Sequence, residues 1–196
     1  MLNERSFKDI TMSTTDRSAA IQDAAHTLFA ERGYSATSMR AIAETADVSL
    51  GLAYNYFDGK QDLLQSIVRA GMEQVHASLA ALDTSGPPVD RLRAFVTTSL
   101  HLVRDHRAFW QLLYSLRHQP EALAALRDDI DALYSTIHAR LQSICEALGS
   151  DTPALDARLL FACIDGVSQH YVRTPATYPL DAAADRIVAR FAAVPG

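Results

Sequence analysis

One stretch, TSMRAIAETADVSLGLAYNYFDGK from Thr37 to Lys60, constrains this chain more than any other. It reads as two short helices around a tight turn. The first is expected over Ser38–Thr45, with Thr37 as N-cap, because a hydroxyl there accepts from an otherwise orphaned backbone N–H. Met39, Ile42, Ala43 and Ala46 follow helical spacing within it. Ala46-Asp47-Val48 breaks the pattern, and Ser49 offers a second N-cap for a helix over Leu50–Asn55. So short a helix is unstable alone and must be held by its neighbours. Tyr54, Tyr56 and Phe57 crowd its end, and Lys60 follows near the start of another helix. This is the pattern of a helix-turn-helix, whose second helix enters the DNA major groove while the first crosses the backbone.

With Gly33 and Tyr34 before it, the stretch resembles the DNA-binding domain of the tetracycline-repressor (TetR) family of bacterial transcriptional regulators. The resemblance lies on Gly33-Tyr34, Thr37, Ile42-Ala43, Val48-Ser49, Gly51, Tyr54, Tyr56-Phe57, Lys60 and Leu63-Leu64. It covers roughly the first third of the chain. Asp47 stands where that family usually has a turn glycine, and aspartate tolerates the left-handed region better than most residues. Ala53 stands where a larger apolar residue is common.

The resemblance implies that the second helix of the motif reads bases and that its flanks hold phosphates. Leu50, Gly51, Leu52 and Asn55 are then the candidates for base edges, joined by Arg40. Arginine pairs bidentately with guanine and asparagine with adenine, whereas leucine only touches a thymine methyl. Two leucines leave little hydrogen-bonding capacity, so part of the specificity is expected from DNA shape or from Arg40. Thr37, Ser38, Ser49, Tyr54, Tyr56 and Lys60 are the phosphate candidates, with core packing the competing reading for the tyrosines. Phe57 is expected in the core.

Charge alone does not point to DNA. The formal net charge is −5, and Asp16 to Asp62 holds four basic residues against seven acidic ones. Affinity must rest on a few placed cations, hydroxyls and helix N-termini.

Alanine and leucine are abundant, glycine is scarce and no β-branched run occurs, so the chain is expected to be all-α with about nine helices. The helices are placed at about Asp16–Arg32, with Thr15 as cap, Ile21, Ala24, Ala25, Leu28 and Phe29 as buried stripe and Gly33 as stop, then the two of the motif, then Gly59–Leu82 with the stripe Leu63, Leu64, Ile67, Val68, Met72, Val75 and Leu79. After the Asp83–Pro88 break come Val89–Arg104, with Leu92, Phe95, Val96, Ser99 and Leu102 inward, and Arg107–Leu116, holding Phe109, Trp110, Leu113 and Tyr114. One long helix follows from Pro120 to Leu148, then Thr152-Pro153 to Val172, and Leu180–Phe191. Three parts result: an arm over 1–13, in which Arg5 and Lys8 are candidate DNA contacts, a DNA-binding domain over 14–62, and an effector-binding and dimerisation domain over 63–196.

The segment FACIDGVSQHYV, Phe161–Val172, is similar to the penultimate helix of a subgroup of the same family that includes choline-responsive regulators. The resemblance implies that the last two long helices pair with those of a second copy in a four-helix bundle. Ala162, Gly166 and Ala183 are small residues where helices could approach closely. It also implies an effector cavity in the larger domain, whose occupancy moves the helix that Lys60 starts. Phe95, His101, Phe109, Trp110, Tyr114, Tyr134, His138 and His170 are the candidate lining residues. The competing reading is an aromatic core with satisfied histidines. Such a lining suits an apolar, aromatic or cationic ligand, the last through cation–π attraction.

Other functional classes find little support. Glu73-Gln-Val-His76 is a single Glu-x-x-His, a spacing used in di-iron bundles, but no second copy accompanies it. No catalytic constellation, cofactor site or metal-ligand spacing is seen. Asp128, Asp129 and Asp131 read as a solvated face. A helix-turn-helix interaction module without DNA binding is the third alternative, opposed by Tyr54, Lys60 and the capping hydroxyls. Cys145 and Cys163 are expected as two buried thiols. The first twenty residues show no signal peptide, and no apolar run approaches the ~20 residues of a membrane span. A cytoplasmic protein is the expectation, with double-stranded operator DNA, a small-molecule effector and a second copy of itself as partners.

Overall fold

The computed structural model describes residues 14–83, 85–118 and 120–193, so the predicted arm with Arg5 and Lys8 lies outside the described residues. Among the described residues the chain is helical without strands. Nine helices are longer than one turn: α1 Thr14–Arg32, α2 Met39–Thr45, α3 Leu50–Tyr56, α4 Lys60–Ala80, α5 Pro88–Asp105, α6 Arg107–Ser115, α7 Arg127–Ala147, α8 Pro153–Arg173 and α9 Leu180–Ala192. The chain divides into two compact units, residues 1–71 with 111–126 and residues 72–110 with 127–196. Two helices, α4 and α6, run from one unit into the other.

The first unit is built on α1. Its Ile21, Ala24, Ala25, Leu28 and Phe29 are buried, as the sequence predicts, and α2 and α3 both pack against it. Gly33 ends the helix with φ +83° and donates its N–H to the Phe29 carbonyl. Ala53 is fully buried on α3. Phe57 is in the core, and Leu63, Leu64, Ile67 and Val68 of α4 are buried as well. Since α1 begins no later than Thr14, Thr15 lies inside the helix and is not its cap.

The second unit is a layer of long helices. α8 packs on α7, α5 and α9, while α5 also meets α9 and α7. Val75 and Leu79 of α4 join a core with Leu92, Phe95, Leu100, Leu141, Ile144, Leu160, Ile187 and Phe191. Burying a large aliphatic or aromatic side chain is worth about 1.5–3 kcal/mol, so this cluster dominates the unit's stability.

Four expectations need correction. In α5 the buried positions after Val96 are Leu100 and Val103, not Ser99 and Leu102. In α6 Leu112 is buried where Leu113 was expected. The predicted long helix from Pro120 is broken: one α-turn, Pro120–Leu123, is followed by a 3₁₀ turn, Ala124–Leu126, before α7 begins. The Leu123–Leu126 spacing of three suits both helix types, which is why apolar periodicity did not separate them. Cys145 is buried, its thiol pushed up to about 11 by burial and then by Asp156 and Glu146, but Cys163 is exposed.

The α2–α3 turn carries the one positive φ on a non-glycine residue among those described, +55° at Asp47. Val48 donates to the Ala43 carbonyl and Asp47 to that of Glu44. The same pair of bonds closes α7, where Ser150 reaches Cys145 and Gly149, at φ +84°, reaches Glu146. Both are Schellman turns, which require a left-handed residue at C′. Replacing Asp47 with valine forces a β-branched residue into that region, and Asp47→Val is expected to cost about 1–2 kcal/mol. Hydrogen exchange of the α2 and α3 amides checks this.

Candidate nucleic-acid interface

Both helices of the motif are capped by serine hydroxyls. Ser38, at φ −116° and ψ 154°, accepts from the Ala41 N–H at 3.2 Å. Ser49 accepts from the Leu52 N–H at 3.1 Å. The cap of α2 is thus Ser38, one residue later than the sequence predicts.

Thr37 has another task. It is buried, and its hydroxyl lies 2.8 Å from the Gly33 carbonyl and 3.3 Å from that of Leu28. It closes the end of α1 and is withdrawn from the phosphate candidates. Lys60 is likewise engaged internally. Its ammonium donates to the carbonyls of Tyr34 at 2.8 Å, Thr37 at 2.9 Å and Ser35 at 3.4 Å. It also lies 4.4 Å from the centre of the Tyr34 ring, which itself packs on Phe29. Burial pulls the Lys60 pKa below the usual lysine value. The ammonium thus clamps residues 34–37 to the start of α4.

The outward surface is therefore narrower than expected. Gly51, Tyr54 and Asn55 are exposed on α3, at the i, i+3, i+4 spacing of one helical face. Tyr54 is half exposed, at 50%. Arg40, Ser38 and Ser49 are exposed beside them in sequence, whereas Leu50, Leu52 and Tyr56 are half-buried. A side chain added at Gly51 would meet nothing within 4 Å, so the glycine leaves the backbone open to close approach. This surface offers a guanidinium, an amide, a phenol and two serine hydroxyls.

The eight candidate cavity residues do not converge. Phe95 lines a cleft in the second unit with His76, Leu79, Ala80, Leu133, Thr136, Ile137 and Arg140. Tyr134 and His138 instead pack on Phe161, with ring centres 5.5 and 4.9 Å away. His101 meets Asp181 at 3.1 Å, His170 stacks on Tyr178, and Phe109 meets Trp110 edge-on. Tyr114 belongs to the first unit, where Arg117 covers its ring. Sequence reasoning missed Arg140 and His76 as cleft residues; polar side chains on helices with apolar stripes were the available signal. Glu73 and His76 are exposed on α4, and among the described residues no three His, Cys, Asp or Glu side chains gather in a metal-holding group.

On α8, Leu155 and Leu159 are exposed at 55% and 51%, with Ala162 and Cys163 following at helical spacing on the same side. Gly166 faces open space, and Ala183 of α9 is half-buried. No described helix is long and apolar enough to cross a membrane.

Residues 21–67 match the family model described as bacterial regulatory proteins, tetR family, and residues 87–194 match that of a tetracyclin repressor-like C-terminal domain. The HTH-type transcriptional repressor KstR2 of Rhodococcus jostii (strain RHA1) is 34% identical over 96 residues, 48% of this chain and 47% of that protein. The chain thus spans about half the length of the KstR2 repressors it matches. The HTH-type transcriptional regulator BetI of Rhizobium meliloti (strain 1021) is 29% identical over 162 residues, 80% of this chain and 77% of that one. Among solved structures, a TetR-like transcriptional regulator from Rhodococcus sp. RHA1 superposes with a TM-score of 0.77 at 26% identity, covering 92% of this chain and 96% of that one. AibR, solved in complex with isovaleryl coenzyme A and operator DNA, shares the fold with a TM-score of 0.72 at 23% identity, covering 89% and 97%.

Removing the Lys60 ammonium leaves the carbonyls of Tyr34 and Thr37 without their charged donor. Hydrogen bonds to charged groups are worth about 1.5–3 kcal/mol, so Lys60→Met is expected to destabilise the first unit by about 2 kcal/mol. Hydrogen exchange in α1 and α2 measures it.

Proposed function

The chain belongs to the tetR family of bacterial regulatory proteins, and from that premise we propose that it is a ligand-responsive transcriptional repressor. It binds a palindromic double-stranded operator as a homodimer, acts in the cytoplasm and is released by a small-molecule effector. The observation that carries the reading is the serine-capped α2–α3 pair with Arg40, Gly51, Tyr54 and Asn55 exposed on it. Arg40 and Asn55 supply base readout, while Ser38, Ser49, Tyr54 and Tyr56 hold phosphates. Leu50 and Leu52 contribute their half-exposed edges to thymine methyls. Functionally, residues 14–62 serve DNA, and residues 63–196 serve the effector and the second copy.

The homodimer reading draws on the exposed leucines of α8, since contiguous apolar surface of this kind usually marks an interaction site. Ala162, Gly166 and Ala183 then allow close approach of the helices. The relatives reported above are regulators, and we read this chain as a regulator and not as an enzyme.

Two experiments test the reading. Tyr54→Phe removes one hydroxyl and is expected to weaken operator binding by about 1 kcal/mol, nearly uniformly across sequences. Arg40→Ala is expected to relax preference at one or two base pairs per half-site. Competition assays on single-substitution duplexes separate the two, and an unchanged base preference in Arg40→Ala removes Arg40 from base readout.

The second concerns assembly. Leu159→Glu places a carboxylate in the proposed α8–α9 bundle, where an unpaired buried charge is costly. Sedimentation at micromolar concentration is expected to show a dimer for the wild type and a monomer for Leu159→Glu. A monomeric wild type contradicts the dimer.

A further inference from the structure

The cleft in the second unit encloses about 290 Å³ of empty space, part of it open to solvent. Its walls are apolar: Leu79 and Ala80 from α4, Phe95 from α5, Leu133 and Ile137 from α7. Among the described residues its polar groups are His76, Thr136 and Arg140, and none of them is a carboxylate. The Thr136 hydroxyl already donates to the Ala132 carbonyl. The lining therefore carries positive charge only, which disfavours a cationic ligand and suits an anionic one.

Arg140 has a second engagement. Its guanidinium donates one bond to the Leu79 carbonyl and another, at 2.8 Å, to the Leu82 carbonyl. These acceptors sit in the last turn of α4 and just past it, where the Leu79 carbonyl's backbone bond is a tight-turn contact from the Leu82 N–H at 3.3 Å. Arg140 thus caps the C-terminal end of α4 and walls the cleft at the same time.

Those two roles compete. A carbonyl is a neutral acceptor; a carboxylate adds its full charge and can accept two parallel guanidinium bonds, so it competes with the carbonyls for Arg140. We propose that the effector is a small amphiphile with an apolar body and a carboxylate, that Arg140 reads the carboxylate, and that binding draws Arg140 away from the Leu79 and Leu82 carbonyls. Entry of the ligand then uncaps the far end of the helix that Lys60 begins. The inference rests on the reading of the chain as a ligand-responsive regulator, and it names the ligand class and the group that responds.

The test is calorimetry on the full-length protein with butanoate, hexanoate, octanoate and decanoate, each beside its primary alcohol. At least one acid is expected to bind about tenfold or more tightly than its alcohol, the factor that corresponds to one charge-assisted hydrogen bond. Arg140→Met is expected to abolish that preference, and acid binding to the wild type is expected to speed amide exchange at Ala81 and Leu82. The proposal is overturned if none of the acids binds, if acids and alcohols bind alike, or if Arg140→Met keeps the preference. Should Arg140→Met fail to fold, the acid–alcohol comparison on the wild type decides alone. A protein that selects operator DNA yet binds none of the acids keeps the regulator reading and loses this one. Acid-selective binding without any selected duplex supports the ligand class and overturns the regulator reading.

Discussion

The Lys60 ammonium, set among the carbonyls of residues 34, 35 and 37, is the interaction on which the exposed α2–α3 surface depends. It fixes the chain between α1 and α2 against the start of α4. Ser38, which caps α2, and Arg40 follow directly from that clamped segment. The other end of α4 is held by the same chemistry, a cation on backbone carbonyls, this time from Arg140. Lys60 and Arg140 thus bond the chain's own backbone, as does Arg107 through the Val172 carbonyl. In a protein with a net charge of −5, the few cations left near the motif carry correspondingly more of any affinity for DNA.

Much of this architecture was legible in the residues. The buried stripes of α1 and α4 stand as read, because Ile21 to Phe29 and Leu63 to Leu79 keep a strict helical period. The left-handed position at Asp47 was legible from the resemblance, which puts a turn glycine there, and aspartate tolerates that region. What escaped is local or three-dimensional. Thr37 and Ser38 are adjacent hydroxyls with equal capping chemistry, and only the packing of Thr37 on the end of α1 decides between them. The carbonyls that gather around the Lys60 ammonium come from residues more than twenty positions earlier, a juxtaposition that local pattern does not show. The ligand-cavity candidates were chosen by residue type, and side chains such as His101 and His170 proved to have partners elsewhere, in Asp181 and Tyr178. Arg140 escaped because a charged residue on a long amphipathic helix reads as solvated.

The molecule places its polar chemistry at helix ends. Ser38 and Ser49 cap N-termini, Arg140 caps a C-terminus, and Asp47 and Gly149 close two helices with the same turn. Helix ends hold the backbone groups that lack intrahelical partners, so they are where a polar ligand can replace an internal bond. The phosphates proposed for the α2–α3 surface and the carboxylate proposed for Arg140 are both anions offered to groups of this kind.

The central claim is that two copies of the α2–α3 surface read DNA together. A two-fold dimer must set its half-sites one helical turn apart, about 34–36 Å, or a multiple of that, to use major grooves on one side of the duplex. Selection of wild-type protein on a random pool of duplexes tests this most directly. The account predicts enrichment of an inverted repeat with half-site centres in helical phase. Recovery of no enriched sequence, or of a single unrepeated site, contradicts it.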